Sequence, residues 1–343
     1  MTSDSVRLAG AEPDLNHRDP EYLGLIHETK ARLLSVYDGT AAGWHPYLLG
    51  GSGTLAVEAM IASVINSGPV LIIENGYYSS RIREIFTIHK ISFRALTHDW
   101  LDGWDFDAIE RELDNGYEAV IGVQNETTTG RLNDIARLAA MARGYGAKCL
   151  IDAMSSFGAD EIDFTNLDAV CASGNKCLHS VPGVAFVLVK DNLAREMKKF
   201  PRRSYYMSLP MYAGDSPPLT PPVPALLALR QALREYPAAG VLGRRRDYED
   251  KAKFLRDQLA SRGFTSPVPF KALSCTLTTF SLPVGFNYER WFELNCEKGF
   301  VIYGCKGHLR DGYFQVSNMG ELTLEQLSAW VDAVDEILAS APL

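Results

Sequence analysis

Three short stretches carry side chains whose types and order suit chemistry. The first is Gly50-Gly51-Ser52-Gly53-Thr54, followed at once by the apolar run LAVEAMIASVI. Glycines with Ser and Thr just before a helix offer free backbone N–H groups, hydroxyls and the positive end of a helix dipole, which together suit a phosphate. No lysine follows the second glycine and the spacing is not GxGxxG, so the stretch is not a Walker loop. The second stretch, Ile151-Asp152-Ala153-Met154-Ser155-Ser156-Phe157-Gly158, sets an acid at the end of an apolar run. Open α/β sheets place their ligands at such strand ends. That carboxylate could bind a metal, cap the next turn or hold a protonated ring nitrogen. The third, Ala172-Ser173-Gly174-Asn175-Lys176-Cys177, puts a lysine between two apolar strands. A lysine withdrawn from water gives up its proton more easily and can attack an aldehyde.

Alone, each stretch has an ordinary reading: a capped helix, a capped turn, a surface lysine. Their combination meets the needs of pyridoxal phosphate, namely a seat for its phosphate, a carboxylate for its pyridine nitrogen and an amine for its aldehyde. Asp152 paired with the pyridinium would make the ring an electron sink for a carbanion at the substrate Cα. Lys176 would carry the cofactor as a Schiff base and, once displaced by substrate, move a proton between Cα and C4′.

Such residues need strands to hold them in line. Apolar β-branched runs at Val70–Glu74, Ala119–Gln124, Lys148–Asp152, Ala169–Ser173 and Val184–Lys190 alternate with segments of helical period, including Tyr78–His89 and Leu132–Gly144. That alternation predicts a mainly parallel α/β sheet. The Pro-rich stretch Pro217–Pro222 must be extended or irregular. Beyond it the pattern predicts helices at Ala225–Tyr236 and Gly243–Arg262. A strand near Cys275–Leu282, a helix near Tyr288–Lys298, short strands near Val301 and Tyr313 and a closing helix from Leu324 follow. The expected organisation is a large α/β domain over residues 1–235, with an N-terminal segment 1–45, and a small α+β domain over residues 236–343.

Composition narrows the partners. The 343 residues are 46% hydrophobic and carry 34 basic against 42 acidic side chains, a net charge of −8. That balance argues against a nucleic-acid groove or an anionic membrane as the main partner. No apolar stretch is long enough to span a membrane, and the opening MTSDSVRLAGAEPDLNHRDPEY lacks the apolar core of a signal peptide. Cysteines at 149, 171, 177, 275, 296 and 305 show no metal-ligand spacing, as expected for reduced thiols of a cytoplasmic protein. The histidines are equally dispersed, so no metal is expected.

The chain resembles the class V, fold-type I aminotransferases, and among them the 2-aminoethylphosphonate–pyruvate transaminases. The stretches GSGTLAVEA, ENGYYSSR, NETTTGRLNDI, LIDAMSSFGA, ASGNKCLHSVPGVAFV, GFVIYGCKG and NMGELT carry the resemblance, in the expected order. It implies that Lys176 binds the cofactor covalently, that Asp152 faces the pyridine nitrogen and that Ser52, Gly53 and Thr54 hold the phosphate. It further places Tyr78 on one face of the ring, Met154 near the other, Thr128 near the phenolic oxygen and Asn175 beside the phosphate. Thr220 would reach the phosphate of a neighbouring subunit, which implies a homodimer with shared active sites.

Two departures bear on the substrate. Where the phosphonate transaminases have an arginine that anchors the substrate's acidic group, this chain has Gln315, and a neutral amide cannot replace a guanidinium's charge-assisted grip. The family's Pro-Gly before a lysine is here Gly304-Cys305. Arg18, in a segment closer to the HRSPEF-type entry of alanine–glyoxylate-like members, or Arg310 could supply a displaced anchor. The expected reaction is amino transfer from a small amine or amino acid to a keto acid such as pyruvate. Elimination, decarboxylation or carbon–carbon bond formation on an amino substrate is the alternative that Gln315 leaves open. A binding protein without catalysis on this scaffold fits poorly with the retention of Lys176, Asp152 and the GSGT loop together.

Overall fold

The computed structural model describes residues 2–13, 15–37, 42–214 and 216–340. Its centre is a seven-stranded sheet. In chain order its strands are β1 (Trp44–Gly51), β2 (Val70–Glu74), β3 (Phe93–Thr97), β4 (Ala119–Val123), then, past the short hairpin of β5 (Asn125–Glu126) and β6 (Arg131–Leu132), β7 (Lys148–Asp152), β8 (Ala169–Ser173) and β9 (Gly183–Lys190). Across the sheet the order is β1-β9-β8-β7-β4-β2-β3. Only β9 runs against the others, pairing antiparallel with both β1 and β8.

Side chains of the central strands alternate between two covered faces, as the pleat requires. Leu71, Ile73, Cys149 and Ile151 enter one core, while Val70, Ile72, Ile121 and Leu150 enter the other. Helices α1 (Asp4–Ala9) and α2 (Pro20–Leu34) come first in the chain, and α3 (Gly53–Val64) and α4 (Tyr77–Ile88) follow β1 and β2. Then come α5 (Phe106–Leu113), α6 (Ile135–Gly144), α7 (Asp191–Glu196) and α8 (Val223–Arg234). Leu25 of α2, Ile109 of α5, Leu138 of α6 and Leu229 of α8 share the first core, and Met60 of α3, Phe86 of α4 and Leu193 of α7 the second. Each buried aliphatic side chain of this kind contributes roughly 1.5–3 kcal/mol.

A separate core lies near the carboxyl end. The three-stranded antiparallel sheet, ordered β10 (Leu277–Ser281), β12 (Tyr313–Ser317), β11 (Tyr303–Gly304), packs Phe280 and Phe314 against Leu255 and Leu259 of α9 (Gly240–Ser261), Trp291 of α10 (Tyr288–Glu297) and Trp330 of α11 (Leu324–Ser340). Helix α9 joins the two regions, because its first half carries Arg244 and Tyr248 to His179 beyond β8.

The five expected strands of the large sheet appear within a residue of their predicted bounds, the strand expected at Cys275–Leu282 forms as the shorter Leu277–Ser281, and the short strand near Val301 forms two residues later. Strands β1 and β3 and the two N-terminal helices are additions to the expected pattern. Among the described residues no helix is long and apolar enough to cross a membrane, and no cluster of His, Cys, Asp or Glu could hold a metal ion.

Candidate active site

Register alone brings the chemistry to one edge. Parallel pairing sets Val123 opposite Asp152 and Asp152 opposite Cys171, so the loops leaving β4, β7 and β8 emerge side by side. Strand β1 reaches Gly51 opposite Gly183, where β9 begins, so the Ser52–Thr54 loop emerges at the same edge. This carboxyl edge is where open α/β sheets bind ligands.

Ser52 is the N-cap residue of α3, yet its hydroxyl makes no capping bond, and no acidic residue occupies the first turn. The helix N-terminus therefore presents unneutralised N–H groups. Thr54 Oγ1 accepts a hydrogen bond from Arg81 Nη1 at 3.0 Å. The Arg81 guanidinium also lies 5.0 Å from the centre of the Tyr78 ring, and its Nε is buried without a hydrogen-bond partner among the described residues. Met154 packs so closely on Gly53 that a Cβ there would lie 2.8 Å from the methionine's Cε, which ties the loop after β7 to the cradle.

Asp152 is buried at the end of β7, and its Oδ1 accepts the N–H of Met154 at 2.9 Å. Among the described residues Oδ2 accepts no hydrogen bond. Burial pushes the carboxyl up to about 6, against the lowering pull of the Met154 N–H and of Arg81. Lys176 is half-buried in the turn after β8, and no hydrogen bond or ion pair of its ammonium is found among the described residues. The turn is fixed around it: Ser180 N–H donates to Gly174 O at 2.9 Å, and Cys177 Sγ donates to Ser155 O at 3.3 Å. That last bond seats the lysine turn on the loop that follows Asp152. Asn175, beside it, accepts a 2.5 Å bond from Ser173 Oγ.

Sequence reasoning missed two residues here. Glu126, fully buried in the hairpin after β4, accepts bonds from the N–H groups of Tyr78 (3.2 Å) and Ser79 (3.1 Å), and so caps α4 from another loop. Thr128, expected near a ring oxygen, donates its hydroxyl to Glu126 Oε1 at 2.7 Å and accepts from Tyr77 N–H at 3.2 Å. Its proton is committed within the protein. Arg81 is the other omission. The only sequence signals were a buried-type acid inside NETTTG and an arginine one turn after Tyr78.

The remaining expected residues lie around this edge to differing degrees. Gln315, half-buried on β12, donates its amide to Thr127 O and, at 3.1 Å, to Thr128 O. Thr220 is exposed and shares a cavity with Leu48, Gly50 and Tyr206, and no contact between it and Ser52–Thr54 is found among the described residues. Arg18 is exposed, and among the described residues only its backbone N–H is engaged, to Asn16. Arg310 is also exposed and turns to Glu289 at 3.5 Å.

The residues fit pyridoxal phosphate on chemical grounds. An uncapped helix start and a buried arginine nitrogen without a partner among the described residues suit a phosphate, and the oxygen of the buried Asp152 that receives no donor among those residues suits a protonated ring nitrogen. Residues 51–284 match the class-V aminotransferase family, and the chain belongs to that family. It is a pyridoxal-phosphate-dependent enzyme of that class. A 2-aminoethylphosphonate–pyruvate transaminase from Klebsiella pneumoniae subsp. pneumoniae is 31% identical, over 98% of this chain and 95% of its own. A bifunctional phosphonoacetaldehyde hydrolase/aminoethylphosphonate transaminase from Clostridioides difficile is also 31% identical, and the chain spans 55% of that longer protein. The fold is fold-type I: the crystal structure of an alanine–glyoxylate aminotransferase from Nostoc sp. superposes with a TM-score of 0.92 at 23% identity, over 98% of this chain and 92% of its own.

Proposed function

We propose that this enzyme moves an amino group from 2-aminoethylphosphonate, or a close small amine, to a keto acid such as pyruvate. The observation that carries the reading is the meeting of Ser52–Thr54, Asp152 and the Lys176 turn at one sheet edge, joined with the relatives named above. Ser52, Gly53, Thr54 and the start of α3 would hold the cofactor phosphate, with Arg81 adding positive charge and Asn175 lying beside it. Asp152 would keep the pyridine nitrogen protonated, and Tyr78 and Met154 would bracket the ring. When bound, the cofactor supplies an electron sink for the bond pair released at the substrate's α-carbon. Lys176 would hold the cofactor covalently at rest and then carry the proton to and from that carbon.

We further propose a cytoplasmic homodimer of two-domain subunits (residues 1–235 and 236–343). The exposure of Thr220 supports a role toward a second copy, and free, mostly buried cysteines suit a reducing compartment. The test is a half-reaction. Holoenzyme mixed with 2-aminoethylphosphonate and no acceptor should release one equivalent of aldehyde per site, and later addition of pyruvate should yield alanine. Consumption of amine without a stoichiometric aldehyde would overturn it.

A further inference from the structure

Two cations share one tyrosine ring at the edge of the site. Arg81 lies 5.0 Å from the Tyr78 centroid, and Lys306 Nζ lies 4.8 Å from it and 4.9 Å from the Tyr77 centroid. Lys306 Nζ also donates to the Tyr78 hydroxyl at 3.0 Å. Neither cation forms a salt bridge with a carboxylate among the described residues. Arg81 is committed to the phosphate cradle through Thr54. Lys306 is left over.

Its placement is built. Lys306 leads into a turn of 3-10 helix, Gly307–Leu309, whose His308 ring packs 4.5 Å from the ring of Trp100 in the loop after β3. The turn follows β11, where Tyr303 pairs directly with Gln315 of β12. Gln315 and Lys306 therefore approach the same corner from one small sheet. Gln315 spends its amide protons on Thr127 and Thr128, beside Tyr77, whose N–H Thr128 accepts. The neutral residue braces the loop, and the charge stands on Lys306 against Tyr77 and Tyr78. Arg310, by contrast, turns to Glu289.

We propose that Lys306 is the specificity-determining residue for the substrate's acidic group, gripping a phosphonate or carboxylate together with the Tyr78 hydroxyl. The assignment rests on the transaminase reading and names what replaces an arginine at position 315. An ammonium is a point donor rather than a planar fork, so this anchor accepts a tetrahedral phosphonate and a planar carboxylate with little distinction. It also removes the ground on which Gln315 favoured a reaction other than transamination.

The test compares wild-type holoenzyme with Lys306→Met and Lys306→Arg, using ethylphosphonate as a probe that carries the acid but cannot react. Calorimetric binding should weaken about tenfold or more in Lys306→Met and return to within about threefold in Lys306→Arg, the size expected for one charge-assisted hydrogen bond. The aldehyde-release half-reaction should show the same loss with 2-aminoethylphosphonate and less than about a twofold change with propylamine, which lacks the acid. Equal binding of ethylphosphonate by wild type and Lys306→Met, or equal loss for propylamine, overturns the anchor and leaves the transaminase reading intact. Ethylphosphonate binding that depends on Lys306, in a protein that releases no aldehyde from any amine, keeps the anchor and overturns the reading.

Discussion

Glu126 closes over Gly76 so tightly that a Cβ built on the glycine would lie 2.6 Å from Glu126 Oε2. The glycine is there for space rather than for an unusual backbone angle. It lets a buried carboxylate from the hairpin after β4 receive the first N–H groups of α4, the helix that carries Tyr78 and Arg81.

Gly76→Ala should therefore destabilise the protein by about 1–3 kcal/mol, the usual cost of overpacking, and weaken cofactor retention through Tyr78 and Arg81. The denaturant midpoint and the cofactor dissociation constant check this. An unchanged midpoint would show that Glu126 moves aside freely.

Asp152 links stability to pH. Its carboxyl rises from 3.8 to about 6 in the folded protein because it is buried. Between those values the folded protein holds a proton that the unfolded chain has released, so stability falls as pH rises through this window and stays lower above it. Asp152→Asn in cofactor-free protein should be more stable than wild type at pH 7.5 by roughly 1–3 kcal/mol, with the gap closing toward pH 4. The same variant should hold the cofactor at least about tenfold more weakly, since a neutral amide cannot pair with a pyridinium. Urea unfolding across pH and a cofactor titration read both effects; a less stable Asp152→Asn apoprotein would count against the burial argument.

His179, three residues past Lys176, works in the opposite sense. Its Nδ1 faces Glu321 at 2.7 Å, while Nε2 faces the Tyr248 hydroxyl at 2.5 Å and the Gly320 N–H at 3.2 Å. A neutral ring with its proton on Nδ1 satisfies these partners. Burial and the adjacent Arg244 lower the ring to about 4. Between 6.5 and about 4 the unfolded chain takes up a proton that the folded one refuses, so stability is lost as pH falls through that range. In His179→Gln the loss of stability between pH 7 and pH 5 should be smaller than in wild type, by about 1 kcal/mol or more. Parallel urea curves for the two proteins at both pH values would contradict this.

Gln315 braces the Thr127–Thr128 carbonyls. Gln315→Ala should cost about 1–2 kcal/mol by leaving them without a donor. Gln315→Arg keeps donors there and adds charge beside Lys306, so it should lower KM for 2-aminoethylphosphonate while leaving that for propylamine alone. An unchanged KM would place position 315 outside the substrate's reach.

Much of the scaffold was legible in the chain because fully buried strands read as continuous apolar runs, as in Val184–Lys190. Strand β1 was not, since it carries Pro46, Gly50 and Gly51 and pairs at the sheet edge, where such residues are tolerated. Strand β3 forms the opposite edge and is only partly buried, so its apolar signal is thin. The order of the cradle, Asp152 and Lys176 was readable because each follows a strand. Glu126, Arg81 and Lys306 were not, because their roles depend on loops distant in sequence meeting at Tyr78. Gln315 drew notice only as a missing charge; its carbonyl partners are a property of the folded chain.

Holoenzyme treated with borohydride, digested and mapped by mass should show the cofactor's mass fixed to the Lys176 peptide, with one label per chain, and Lys176→Ala should fold normally but take no label. A label on another lysine, or an unlabelled Lys176 in cofactor-saturated protein, would contradict it.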